Sequence, residues 1–599
     1  MILLLASLGG WMLLVRAAGV SFWFVPLTAM TGISLILYAG GLAGLLAQTA
    51  DVLCVTGTGA AVFCCFHMWR KRIRMHRPDL FQICFLTGIL LFALLSLNLK
   101  LIHYDNFSHW AVAVKDLLSA DHFPDAASEM ITFKDYPPGC AVFLYYVCRF
   151  SGRGQGVMLL AQNSLIFACF YALFGIVEER RRFLLYSFLG MGCAMLSYLN
   201  LTIRINNLLV DFLLPLLTLA SFAASCRQRE TPGKMTLCTV LILGFTVLVK
   251  NTGAVFAGIG FLYYMWCLFA GSRGRNRMSR MGLLVPAAVG TALPFVLWRV
   301  YLAAELAGYE GKFHVGAAEA GTGASAYSRE IIRLFLSRST DPGERSVQAF
   351  LLCSLLTAAA VLYARLVLQK RWNLGRLYLL AAGVTGGYYG GLLLLYLYAM
   401  PEEEAVRLAG FDRYTCSIMV LFAGILIMGA TSDMEHSFAV GIDERGAYRA
   451  YASPEAKHRY QTGVLVTVVI AVNFLYSEWN GLLSIRRAYE ESLPGRVEAL
   501  TGDRWYADGQ EDESRYLAAA LDENGEVSDG EVRYVLRYFL YAPAVDVTDG
   551  LDGEKLAEAA KRYDYLIVLD PSVIEIDPEI PGMEELKEPG IYHFEKQGL

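Results

Sequence analysis

The sequence is poor in charged residues, and this shortage excludes several classes of protein. Only 18% of the 599 residues are Asp, Glu, Lys or Arg, whereas 56% are hydrophobic. A soluble domain carries about 25% charged residues. The 51 basic residues are outnumbered by 55 acidic ones, so no basic excess is available to neutralise nucleic-acid phosphates. A soluble globular enzyme, a disordered scaffold and a nucleic-acid-binding protein are therefore excluded.

Motifs that bind metals or nucleotides are also scarce. The loops that the charge pattern predicts to lie outside contain no Asp-X-Asp motif. The 13 cysteines and nine histidines form no cluster with the spacing of a zinc site. No Gly-rich phosphate-binding loop is present, so ATP-driven transport by this chain alone is not expected. We therefore predict no metal site, and the sequence indicates no certain cofactor. A divalent cation would have no clear binding motif.

Long apolar runs dominate what is present. We count fourteen runs, each about as long as the ~30 Å hydrocarbon core of a bilayer requires. They lie near 1–20, 22–47, 50–69, 80–99, 156–177, 183–200, 207–225, 235–250, 252–270, 282–303, 347–367, 376–399, 415–433 and 462–478. A porin-type barrel is excluded because the runs are continuous rather than alternating. The sequence predicts an all-α polytopic membrane protein with about 13–14 transmembrane helices.

The distribution of charge predicts the orientation in the membrane. Residues 481–599 carry a net charge of −15, and the rest carries +11. Basic connections face the cytoplasm, and the strongest are 70–74, 180–182, 227–234, 273–280, 370–376 and 434–461. The loops 100–155 and 304–346 and the acidic tail are then predicted outside the cell membrane. This alternation of cytoplasmic and outer connections requires that the short run Pro138–Phe150 lies in the outer leaflet without crossing the membrane.

The first outer loop contains a predicted amphipathic helix. Phe107, Trp110 and Val114 fall on one helical face, whereas polar residues such as Lys115 fall elsewhere. We expect this helix to lie in the membrane interface, with Asp105 or Ser108 as its N-cap. A plain loop helix that dips its apolar side into lipid would give the same pattern.

Several ionisable residues lie at the predicted outer ends of membrane helices, where they are costly unless they pair or line a wet cavity. Arg204 and Asp211 are seven residues apart, which would place them two turns apart on one helical face. Lys250 could be the polar tip of a hairpin, and Arg413 with Tyr414 could be an interfacial anchor. Their placement on one side of the membrane favours a shared site in the outer leaflet.

This combination of residues resembles the polytopic glycosyltransferases of the GT-C superfamily, of the protein O-mannosyltransferase and aminoarabinose transferase type. The resemblance spans roughly residues 80–599 and is closest to uncharacterised bacterial members with a Tyr-Asp-X-Phe-Ser-His-Trp loop. It lies in Asp105 at the start of a long first outer loop, in Asp135-Tyr136-Pro137-Pro138-Gly139, in Lys250-Asn251-Thr252-Gly253 and in Arg413-Tyr414. The family often has two adjacent acidic residues in this loop, whereas Asn106 follows Asp105 here.

The resemblance implies transfer of a sugar from a polyprenyl-phosphate donor to a lipid, glycan or protein acceptor at the outer face. A carboxylate would take the acceptor's proton, and positive charge would meet the leaving phosphate. The implied catalytic residues are Asp105, His109 and Asp135; the implied phosphate-binding residues are Lys250, Arg204 and Arg413; and the implied supporting residues are Tyr104, Asp211 and Tyr414.

The chain divides into three predicted parts. Residues 1–79 form N-terminal membrane helices, 80–478 form the GT-C-like module, and 479–599 form a small acidic α/β domain outside the cell. In this domain 530–539 is either a strand or a helix, 553–562 is helical, and 563–570 and 591–595 are strand-like.

Other functions remain open on the sequence. A transporter or flippase of lipid-linked oligosaccharide is one alternative, although it should show paired halves with broken helices near mid-membrane, and we find no internal repeat. A glycan polymerase or ligase would use similar lipid-linked donors.

The orientation can be tested directly. A reporter that is active only in the cytoplasm, fused after Leu599, should be silent, because the acidic tail follows a helix that is preceded by the basic connection 434–461. Activity of this reporter would reverse the predicted orientation.

Overall fold

The computed structural model describes residues 1–72, 78–179, 182–199, 205–270, 275–309, 324–437, 454–521, 530–575 and 586–594. Within these ranges, nine helices are long and apolar enough to cross a bilayer. Numbered in chain order, they are α2 (Val25–Leu42), α3 (Leu46–Arg70), α7 (Gln155–Leu173), α10 (Pro232–Val249), α13 (Leu284–Glu305), α15 (Arg345–Leu366), α16 (Leu374–Tyr398), α18 (Phe411–Ser437) and α19 (Pro454–Ala488).

Five shorter apolar helices occupy the remaining predicted runs: α1 (Ile2–Ala17), α4 (Leu80–Ser96), α8 (Phe183–Tyr198), α9 (Leu213–Arg227) and α11 (Gly253–Phe269). Leu86 of α4, Leu355 of α15 and Leu379 of α16 are among many large apolar side chains of the apolar helices that are more than half exposed. Such surfaces, on helices of membrane-spanning length, are typical of contact with lipid. The prediction of a polytopic α-helical membrane protein is thus confirmed, and α19 continues to Ala488, past the predicted end of its run.

The remaining helices of the membrane module are short or peripheral. They are α5 (Ala111–Ala120), α6 (Gly139–Ser151), α12 (Arg275–Met281), α14 (Ala324–Thr340) and α17 (Glu402–Val406), and a π-helical turn, Asn106–Trp110, precedes α5. The 13 residues of α6 span about 20 Å, less than the hydrocarbon core. Gly139 permits its close approach to α10, because a Cβ there would lie 2.6 Å from the Leu248 carbonyl oxygen.

The expectation that α5 lies in the membrane interface with one wet face is wrong. Lys115 and Asp116, on the predicted polar side, are 0% and 5% exposed. The π-helical turn packs against a helix of the C-terminal domain, and α5 packs against α6. The local pattern is amphipathic, but the C-terminal domain covers the face that would otherwise meet water.

The C-terminal domain contains a four-stranded sheet in the order β2-β1-β3-β4, in which β4 is antiparallel and the others are parallel. Its strands are β1 (Tyr516–Ala519), β2 (Val545–Thr548), β3 (Tyr565–Val568) and β4 (Gly590–His593), and its helices are α20 (Leu493–Thr501), α21 (Arg504–Asp508), α22 (Glu531–Leu540) and α23 (Gly553–Arg562). The ambiguous segment 530–539 is therefore helical. Val535, Leu536 and Phe539 of α22 are buried in one continuous core with the membrane module, whereas α23 packs over a separate small core.

A buried lysine joins the C-terminal domain to α5. Lys115 Nζ lies 2.9 Å from Asp503 Oδ1 and donates to the Tyr538 carbonyl oxygen at 2.8 Å. The same ammonium lies 3.5 Å from the centre of the Tyr538 ring and 5.0 Å from the Trp505 ring. Trp505 Nε1 also donates to Ser119 Oγ at 2.6 Å. These contacts fix α5 beneath the domain.

Lys115→Met tests this connection. The variant leaves the Asp503 carboxylate without its cation at a largely buried interface, which we expect to lower the free energy of unfolding by about 3 kcal/mol. Thermal unfolding in detergent measures the effect. Lys555→Met is the matched control, because the Lys555 side chain is 60% exposed. Equal melting temperatures for the two variants would show that Lys115 does not hold the domain in place.

Candidate functional site

Four charged residues from distant parts of the sequence meet at one end of the helix bundle. Asp105 precedes the π-helical turn, Asp211 precedes α9, Lys250 follows α10, and Arg413 lies in the first turn of α18. Because α9 starts and α10 ends at the same side of the bundle, the connections that carry Asp211 and Lys250 are adjacent. We call these four residues the ion cluster.

The ion cluster is a chain of alternating charges. Arg413 Nη1 donates to Asp105 Oδ2 at 2.6 Å, and Lys250 Nζ donates to Asp211 Oδ1 at 2.9 Å. Arg413 Nε lies 3.8 Å from Asp211 Oδ2, which is close enough for attraction but too far for a hydrogen bond. The two cations and two carboxylates balance, so the cluster as a whole is neutral.

The two ends of the ion cluster differ in their access to solvent. The side chains of Lys250 and Asp211 are 5% and 3% exposed, whereas those of Arg413 and Asp105 are 27% and 15% exposed. The Tyr414 ring lies 5.2 Å from Lys250 Nζ and 5.5 Å from the Arg413 guanidinium carbon. Arg413 and Asp105 therefore form the part of the cluster that an incoming ligand reaches.

Side-chain amides place Asp211 next to the first loop. Residues 205–212 form turns and irregular backbone rather than helix. The expectation that Asp211 lies on a helical face shared with Arg204 is therefore wrong, and Arg204 itself lies outside the described residues. Asn106 Oδ1 accepts from the Leu208 backbone N–H at 2.9 Å. Gln162 and Asn163 of α7 donate to the backbone carbonyls of Leu209 and Ile205 at 3.1 and 3.0 Å.

These amides are the functional residues that the sequence interpretation missed. Asn106 is completely buried and accepts a hydrogen bond from the Leu208 backbone. In the sequence it is notable only because it stands where the GT-C family often has a second acidic residue. Gln162 and Asn163 are adjacent amides in an apolar membrane helix, which is the signal that could have drawn attention to them. Asp105 does not act as a side-chain N-cap of the following turn, because its carboxylate contacts Arg413 instead.

His109 lies in an aromatic environment beside the ion cluster. Its ring centre is 4.9 Å from that of Trp110, 5.9 Å from Phe133 and 4.7 Å from Tyr136. It is 8% exposed, and its Nδ1 has no hydrogen-bond partner among the described residues. Burial, together with the positive charge of Lys250, lowers the pKa of His109 to about 3, so the imidazole is neutral at physiological pH.

The other predicted residues lie around this arrangement. Asp135 adjoins Tyr136, and its backbone carbonyl accepts from Trp298 Nε1 at 3.0 Å. Tyr104 is 46% exposed, and its ring stacks on His103 at 5.3 Å. The described residues contain no group of three or more His, Cys, Asp or Glu side chains that could hold a metal ion.

The comparisons with known proteins found two solved structures. They are crystal structures of ArnT from Cupriavidus metallidurans, one bound to undecaprenyl phosphate and one in the apo state, with 12% and 11% sequence identity. Each match covers 81% of this chain and 92% of the ArnT chain, with TM-scores of 0.45 and 0.46. No family model and no curated protein matches the chain. At this level of similarity the two structures assign no residue roles in this chain.

The low pKa of His109 predicts a pH-dependent stability. An unfolded histidine has a pKa of 6.5, so the unfolded chain takes up a proton that the native chain refuses between pH 6.5 and about 3. Stability therefore falls as the pH is lowered through this window, by about 2 kcal/mol from pH 7 to pH 5.

The comparison with His109→Gln isolates this contribution. The melting temperature in detergent should fall less between pH 7 and pH 5 in His109→Gln than in the wild type. His458→Gln, at an exposed position of α19, should follow the wild type. Parallel pH profiles for the wild type and His109→Gln would contradict the neutral, buried imidazole.

Proposed function

We propose that this chain is a glycosyltransferase that moves a sugar from a polyprenyl-phosphate-linked donor to an acceptor on the outer face of the membrane. The observation that carries the proposal is the contact between Asp105 and Arg413 at one accessible end of the bundle, with Lys250 behind them. A carboxylate and cations side by side at the end of membrane helices are what this reaction requires: a base for an alcohol and positive charge for a phosphate.

In the proposed reaction Asp105 is the general base. The acceptor hydroxyl oxygen attacks the anomeric carbon of the sugar, and its proton passes to the Asp105 carboxylate. The bond between the anomeric carbon and the phosphate oxygen breaks, and its electron pair leaves with the polyprenyl phosphate. Because attack and departure occur on opposite faces of the carbon, the product has inverted configuration.

Arg413 and Lys250 have different proposed tasks. Arg413 is the more accessible cation, and its planar guanidinium can donate two parallel hydrogen bonds to a phosphate. Lys250 is buried and bonded to Asp211, so it would raise the local potential from behind rather than bind the phosphate directly. His109, with its low pKa, is proposed as a neutral wall of the site and not as a proton carrier.

The proposed orientation places the ion cluster and the C-terminal domain outside the plasma membrane. It is supported by the basic connections between the spans and by the net charge of −15 on residues 481–599. Since a polyprenyl-linked sugar presents its anomeric carbon just outside the bilayer, a site at the outer ends of the helices would meet it.

Asp105→Asn tests the proposed base. Asparagine keeps the size of the side chain but cannot take the acceptor's proton, so we expect transfer to fall by about 10²-fold or more. Transfer from a polyprenyl-phosphate sugar by purified protein is the measurement. The control is Asp549→Asn, at an exposed position of the C-terminal domain, which should retain wild-type transfer. An Asp105→Asn rate within a few-fold of the wild type would remove Asp105 from the mechanism and make Asp135 the next residue to test.

A further inference from the structure

The ion cluster is neutral, so it offers no net positive charge to attract an anion. The Arg413 Nη1 group is already bonded to Asp105, and the Lys250 ammonium is already bonded to Asp211. A phosphate that entered this arrangement unchanged would meet two carboxylates as well as two cations. One cation must therefore be released from its carboxylate before it can bind the phosphate.

The structure indicates which pair opens. Lys250 and Asp211 are almost completely buried, and separation of a buried pair leaves two charges without compensation. Arg413 and Asp105 are partly exposed, so solvent can take over their hydrogen bonds. Arg413 also has Nε without a hydrogen-bond partner among the described residues, and its attraction to Asp211 holds the guanidinium in place when Asp105 leaves.

We propose that Arg413 exchanges partners during the reaction: it binds Asp105 in the donor-free protein and passes to the donor phosphate, which releases Asp105 as a base. The inference rests on the proposed function. An oxygen that accepts a hydrogen bond from a guanidinium is a weak proton acceptor, so Asp105 becomes active only once the donor has arrived. Asp105 and the phosphate thus compete for one guanidinium, and by linkage each weakens the binding of the other.

The competition predicts an effect on binding that is opposite to the effect on catalysis. Asp105→Asn removes the internal competitor, so purified full-length Asp105→Asn protein in lipid nanodiscs should bind a sugar-free polyprenyl phosphate about tenfold more tightly than the wild type, within the range usual for coupled sites. Asp105→Ala removes the same charge through a different side chain and should also tighten binding. Asp549→Asn should bind as the wild type does.

A double variant assigns the effect to Arg413. Arg413→Gln should weaken binding of the polyprenyl phosphate, and adding Asp105→Asn to it should produce little further change, because the guanidinium for which the two anions compete is gone. Tightening by Asp105→Asn that persists in the Arg413→Gln background would overturn the exchange. So would unchanged or weaker binding in both Asp105→Asn and Asp105→Ala.

The outcomes separate this inference from the proposed function. Loss of transfer without tighter binding would retain Asp105 as the base and overturn the exchange. Tighter binding with normal transfer would support the competition for Arg413 and overturn the role of Asp105 as the base.

Discussion

The site depends on the contacts of the buried Asp211 carboxylate with Lys250 and Arg413. Inside a membrane protein an ionised carboxylate is costly unless it pairs with a cation or lines a wet cavity. Asp211 bonds to Lys250 at 2.9 Å and lies 3.8 Å from Arg413. Through these two cations it joins the start of α9, the end of α10 and the start of α18. Arg413 extends the connection to Asp105, so the first loop is held against three membrane helices.

The C-terminal domain completes the support of this loop from the other side. Its helix α22 buries apolar side chains in the core of the membrane module, and Lys115 of α5 is bonded to Asp503 within the domain's first turns. The π-helical turn next to Asp105 therefore packs against α22 of the domain, and α5, which follows the turn, packs against α6. The domain is part of the framework that positions Asp105.

The sequence predicted the framework better than the site. Long apolar runs fix membrane helices because lipid demands uninterrupted backbone hydrogen bonding, and each predicted run has its helix. The ion cluster was predicted only as a set of polar residues on one side, since charge spacing cannot tell which residues pair. The environment of α5 could not be read locally, because the residues that bury Lys115 lie almost 400 positions away. Likewise, Asp211 leaves the expected helix because Asn106, Gln162 and Asn163 satisfy an irregular backbone.

The most direct test of the account is an experimental structure of the full chain with a polyprenyl phosphate bound. We expect the phosphate to contact the Arg413 guanidinium, with Asp105 separated from it and the Asp211–Lys250 pair intact behind them. A phosphate bound elsewhere, with the Arg413–Asp105 contact of 2.6 Å still in place, would contradict it.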